Sequence, residues 1–99
     1  MALGDWTLTV TGEIVRVDTE NIDKSGRNPR YLVSFIVRPD KVEAPPEARL
    51  AAEIQIDSHE RDLAKLTPTP PRAGDRVTMR AQGNGPQPAV FLLTSVERQ

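Results

Sequence analysis

From Trp6 the chain alternates apolar Trp6, Leu8 and Val10 with polar Thr7, Thr9 and Thr11, a period of two that an extended strand turns into two distinct faces. Gly12 interrupts the alternation, and apolar positions resume at Ile14, Val15 and Val17. The spacing predicts one long first strand that bends or bulges at the glycine. Asp18 to Arg30 carries the turn formers Asn21, Asp23, Ser25-Gly26 and Asn28-Pro29, has no apolar period beyond Ile22, and reads as a long first loop. Tyr31 to Val37 is the strongest strand signal in the chain, and Pro39 is expected to stop it. Asp40 to Glu47, with Pro45-Pro46 and several acids, reads as a second exposed loop. Leu50, Ala52, Ile54 and Ile56 then alternate with Arg49, Ala51, Glu53 and Gln55, the pattern of a third strand with one wet face.

The period changes after Ile56. Asp57-Ser58-His59-Glu60 has the composition of a helix-capping sequence, with Asp57 or Ser58 as the cap, and His59, Leu63 and Leu66 follow at i, i+4 and i+7 on one face. A helix this short is a plug against a sheet rather than an independent element. Thr67-Pro68-Thr69-Pro70-Pro71 cannot continue it and favours extended polyproline geometry, a stiff connector. Ala73-Gly74-Asp75 opens a fourth strand, in which Val77, Met79 and Ala81 alternate with Arg76, Thr78 and Arg80. Gly83-Asn84-Gly85-Pro86 is a strong turn signal, and Ala89 to Val96 supplies a fifth strand. There are no repeats and no sign of a second domain. The whole reads as an all-β chain with one helix between its third and fourth strands.

Composition removes several kinds of chemistry. A 99-residue chain is one domain, within the range where a single core forms without disulfides or metal. Cysteine is absent, which excludes a disulfide framework, a Cys-based zinc site and a thiol nucleophile. His59 is the single histidine, too few for a His-rich metal site, and no cofactor motif is present. The formal net charge of −1 argues against a nonspecific duplex-DNA coat, whose domain pI is usually above about 9, so any nucleic-acid contact must come from local arginines. Lysine is confined to Lys24, Lys41 and Lys65 beside many arginines, whose planar groups stack and bind phosphate in a bidentate manner; a GC-rich genome gives the same bias. The first residues carry no basic region before an apolar stretch, and no run approaches the length of a membrane span. The expectation is a soluble protein with no membrane partner, cytoplasmic or virion-associated.

Leu8-Thr9-Val10-Thr11-Gly12-Glu13-Ile14-Val15 resembles the first strand of the bacterial single-stranded DNA-binding and primosomal replication protein group, where apolar alternation runs into a glycine and back to an apolar residue. Gly74-Asp75-Arg76-Val77-Thr78-Met79-Arg80 is similar to the Gly-x-x-Val-x-Val opening of that group's fourth strand, and Leu93 to Glu97 to its fifth. The resemblance implies a five-stranded OB-type barrel with one short helix between strands three and four, spanning residues 1–99. Such open-faced barrels bind single-stranded nucleic acid or a partner protein. Two features depart from the group: aromatic residues are few, and Val96-Glu97-Arg98-Gln99 is not followed by the disordered acidic tail through which housekeeping members recruit partners. The expectation is therefore a compact accessory, plasmid or phage protein.

Candidate binding residues fall into three groups. Lys24, Arg27, Arg30 and Tyr31 meet where the first loop enters the second strand, and cations beside an aromatic ring suit single strands, because phosphates take the charge and an unstacked base takes the ring. The same loop also holds Asp18, Glu20 and Asp23, which would neutralise those cations and leave an ordinary solvated loop. Trp6 shares the phase of Leu8 and Val10 and serves either as a core-edge residue or as a stacking platform. Arg49, Arg76 and Arg80 lie on polar strand faces, where they form a basic stripe or act as plain surface charges. Phe35 and Phe91 read as core or interface residues and His59 as a partly buried helix residue. Asp57, Glu60 and Asp62 read as acids that complement the helix dipole.

Strands two and five carry apolar residues in both phases: Leu32 and Ile36 against Val33, Phe35 and Val37, and Phe91 and Leu93 against Val90 and Leu92. One small barrel has a single inside, so the second set calls for cover, and a homodimer or higher homo-oligomer is the expected source. The function expected from these features is single-stranded DNA binding without catalysis, with RNA left open. The alternative is an OB-like protein-interaction module or accessory subunit that binds no nucleic acid, which the near-neutral charge favours. An enzyme is least expected, since triad, metal and phosphate-loop signatures are missing.

Overall fold

A computed structural model of the chain describes residues 6–23, 30–44, 52–83 and 91–99, with Trp6 described by its backbone alone. The period-two segments form five strands, β1 (Trp6–Asn21), β2 (Tyr31–Glu43), β3 (Ile54–His59), β4 (Arg76–Gly83) and β5 (Phe91–Arg98), with one helix, α1 (Glu60–Leu66), between β3 and β4. The strands close into a barrel in the order β1-β2-β3-β5-β4, the expected OB-type arrangement. Every pairing is antiparallel except that of β3 with β5, which meet in parallel at Asp57 and Leu92. Among the described residues no helix is long and apolar enough to cross a membrane.

β1 is long because it serves two neighbours. Trp6–Glu13 pairs with β4, while Thr9–Asn21 pairs with β2, so the strand is shared over its middle. Gly12 lies in that shared stretch, opposite Val77 on one side and Pro39 on the other. A Cβ on Gly12 would stand less than 3.0 Å from both the Arg38 carbonyl oxygen and the Pro39 Cα, so the position admits only glycine without backbone movement. The register shifts here: Asp40 is left unpaired on β2 beside Gly12, and Val15 is left unpaired on β1 between Ile14 and Arg16. The second shift moves the inward phase from Leu8, Val10 and Ile14 to Val17, which explains the adjoining apolar residues after the glycine. The segment between the two shifts is held from outside. The Ile14 N–H donates to the Asp75 carbonyl at 2.9 Å, and Gly74, in a left-handed turn with φ +95°, donates its N–H to the Ile14 carbonyl at 2.6 Å.

Three expectations about element limits are corrected. Pro39 does not stop β2, which runs on to Glu43, because the proline stands at the bulge, where a missing N–H is tolerated. The first loop is shorter than expected, since Asp18–Asn21 continues β1 against Tyr31–Ser34, and the Ile22 N–H donates to the Arg30 carbonyl at 2.8 Å. These polar pairings are carried by backbone hydrogen bonds and need no apolar period. The third correction concerns the helix start. Asp57 and Ser58 are strand residues, opposite Ser34 and Val33, and both are buried. The N-cap is His59, which is in extended conformation with no side-chain capping bond. Asp57 cannot cap because its carboxylate faces the sheet, where it accepts a 3.0 Å hydrogen bond from the Gln55 amide; the Ser58 hydroxyl donates to the His59 carbonyl. Arg49, Leu50 and the rest of the segment expected to open the third strand up to Ala51 lie outside the described residues, as do Val90 and the Gly85-Pro86 turn.

The core joins Leu8, Val10, Ile14, Val33, Phe35, Val37, Ile54, Ile56, Val77, Met79, Ala81 and Leu93 from all five strands. The helix adds Leu63 to it, with Leu66 packed at its edge, and touches β2, β3 and β5. Seven residues make a marginal helix in water, whereas burying one leucine contributes roughly 1.5–3 kcal/mol, so α1 owes its existence to Leu63. His59, expected to be partly buried, is instead exposed at the helix start. Ile36, which the pattern places on the outer phase, is only 8 % exposed within the single chain, so it needs no second subunit to cover it.

Two substitutions test this account. Gly12→Ala is expected to lower the unfolding free energy by roughly 1–3 kcal/mol through the forced displacement of the Arg38 carbonyl, and an unchanged urea midpoint would refute it. His59→Ser gives the extended N-cap a side-chain acceptor and is expected to raise stability by about 1 kcal/mol in the same measurement.

Candidate nucleic-acid interface

The register of β2 on β3 places Leu32 opposite His59, the last residue before α1. Residues just before Leu32 are thereby brought against residues just after His59. Arg30 and Tyr31 face His59, Glu60, Arg61 and Asp62 across a cleft of about 260 Å³ at one mouth of the barrel. Tyr31 has the inward phase of Val33 and Phe35 but lies beyond the end of the core, which leaves it 38 % exposed. The cleft is smaller than the roughly 300–1,000 Å³ of sites for whole small molecules. It has room for a group the size of one ring system beside Tyr31.

Four charged residues line the cleft with Tyr31. Among the described residues, neither the guanidinium groups of Arg30 and Arg61 nor the carboxylates of Glu60 and Asp62 form an ion pair or side-chain hydrogen bond. By contrast, the outer surface of β2 and β3 is tied up with itself. Gln55 donates to Asp57 at 3.0 Å and lies 3.5 Å from the Ser34 hydroxyl, and Arg38 pairs with Glu53 at 3.3 Å. The apolar surface clusters near the cleft too. The large exposed hydrophobic side chains among the described residues are Ile22, bonded through its backbone to Arg30; Tyr31 itself; and Leu92, whose strand meets β3 at Asp57, two residues before His59.

The remaining candidates are placed elsewhere. Arg76 and Arg80 are both exposed on the outer face of β4 and do not line the cleft. The Arg76 guanidinium is held by the Asp40 carboxylate, an ion pair the sequence could not reveal because the partners lie on strands that never pair; this occupies one member of the expected basic stripe. Arg80 makes no ion pair among the described residues. Trp6 pairs with Gly83 at the start of β1, and its side chain lies outside what is described. Lys24, Arg27 and Arg49 lie outside the described residues. Sequence reasoning missed Arg61 altogether and gave Glu60 and Asp62 only a role at the helix dipole, which they also fill as the acids of its first turn. The signal that would have found them is the opposition of Leu32 and His59, which the segment between β2 and β3 hides from a linear reading.

Among the described residues no three His, Asp or Glu side chains gather as a metal site requires. The chain matches no protein-family model, no curated protein and no solved structure.

Proposed function

We propose that the protein binds single-stranded DNA, without catalysis, at the mouth of the barrel where β1 ends, β2 begins and β3 passes into α1. The observation that carries this reading is the exposed ring of Tyr31 in a cleft flanked by the guanidinium groups of Arg30 and Arg61, which are unpaired among the described residues. A base unstacked from its neighbours offers a flat apolar face to such a ring, and stacking of this kind is worth roughly 1–3 kcal/mol per base. The arginines supply the other half of the interaction by neutralising flanking phosphates. A near-neutral chain can do this because the charge needed is local, not global. The resemblance of Leu8 to Val15 and Gly74 to Arg80 to the bacterial single-strand-binding group supports the same reading.

Binding of fluorescent oligo-dT, measured at several salt concentrations, tests it. Tyr31→Ala is expected to weaken binding by roughly 1–3 kcal/mol with little change in salt dependence. Arg30→Ala is expected to reduce the slope of log affinity against log salt by about 0.7, because one phosphate is no longer neutralised. Arg76→Ala is expected to leave that slope unchanged, since its guanidinium already serves Asp40. If oligo-dT does not bind even at low salt, the reading falls, and exposed Leu92 on a chain of net charge −1 makes a protein-interaction module the better account.

A further inference from the structure

We infer that the cleft selects guanine among the bases of a single strand, an inference that rests on the single-strand reading above. Its starting point is the presence of Glu60 and Asp62 beside Arg30 and Arg61 around Tyr31, all four unpaired among the described residues. Carboxylates repel phosphates, so a site built for backbone alone has no use for them. They suit a ligand that brings N–H donors. The guanidinium groups, conversely, suit a ligand with paired acceptors.

Guanine presents both on adjoining edges. Its N1–H and N2–H groups point the same way and match the two oxygens of one carboxylate, while O6 and N7 match the two-pronged donor face of arginine. Thymine has a single N–H donor. Cytosine and adenine each have one amino group next to a ring acceptor, which a carboxylate repels. The first turn of α1 brings Glu60, Arg61 and Asp62 to the cleft, and Arg30 reaches it from the start of β2. A guanine stacked on Tyr31 thus turns its N1 and N2 donors toward Glu60 or Asp62 and its O6 and N7 acceptors toward Arg61, which leaves Arg30 for a flanking phosphate.

The test compares oligo-dT with the same strand carrying one central dG, one central deoxyinosine, which lacks the 2-amino group, or one central 7-deaza-dG, which lacks N7. The wild-type protein is expected to bind the dG strand about tenfold more tightly than oligo-dT, and each analogue is expected to lose most of that gain. The Glu60→Gln, Asp62→Asn double variant is expected to lose the preference for dG while binding oligo-dT at least as tightly as the wild type, since two charges that repel phosphate are gone, and that binding also shows that it folds. Equal binding of the dG and all-dT strands overturns the inference and leaves the single-strand reading standing, as does inosine binding as tightly as guanine. Failure of every strand to bind overturns both.

Discussion

The Arg38 carbonyl comes so close to Gly12 that a side chain there would displace backbone, and this approach lies where β1 is shared by β2 and β4. Everything about the closure of the barrel depends on that crossing. The register of β1 against β2 shifts there, and a second shift at Val15 changes which residues of β1 point inward. As a result β1 leaves β4 and continues along β2 without exposing its apolar side. Tracing paired residues around the barrel from Thr7 through Gln82, Leu92, Asp57 and Ser34 leads back to β1 at Asp18, far up the same strand. Such a stagger tilts the strands steeply and lets five of them close around one layer of side chains.

The same stagger assembles the cleft. Because β1 and β2 outrun the core, Tyr31 is carried beyond the last buried layer at Val33, while the shorter β3 ends at His59 and hands the chain to α1 at the same height. The helix is fixed by Leu63, so the charged residues of its first turn are presented from a rigid support and not from a free loop. Residues far apart in the sequence thus share one mouth, with the ring supplied by a strand and most of the charge by a helix. Rigid presentation of this kind reduces the entropy lost when a ligand is ordered against it.

Much of the fold was legible in the sequence wherever one side of a strand is buried and the other wet. Val77, Met79 and Ala81 against Arg76, Thr78 and Arg80, and Ile54 and Ile56 against Glu53 and Gln55, show their inward faces without ambiguity, and Gly12 marked where the register of the long strand shifts against β2. Legibility ended where pairing proceeds without burial. Asp18–Asn21 and Lys41–Glu43 are largely polar segments held by their ladders, with Val42 alone packed on the core, so hydrophobic period had little to report. The sequence around Asp57 misled for a different reason: its acid and hydroxyl suit a cap, but pairing with Ser34 and Val33 claims them first. Of the cleft, Arg30 and Tyr31 were visible as a cation beside a ring. Their facing residues were not, since which residue stands opposite His59 is a matter of register between distant segments.

The two-sided role of β1 also fixes the order in which the molecule can be completed. Its pairing with β2 closes a short hairpin, but its pairing with β4 joins Trp6–Glu13 to Arg76–Gly83, with β2, β3 and α1 lying between in the chain. Pairings of such long sequence separation are made late, because the entropy of closing the intervening chain is given up before the pairing returns anything. While the chain is being synthesised, the first strand therefore waits with one edge bare until β4 has emerged. During that interval its alternating threonines and aliphatics are a template for any other extended chain, which makes β1 the strand most exposed to mispairing.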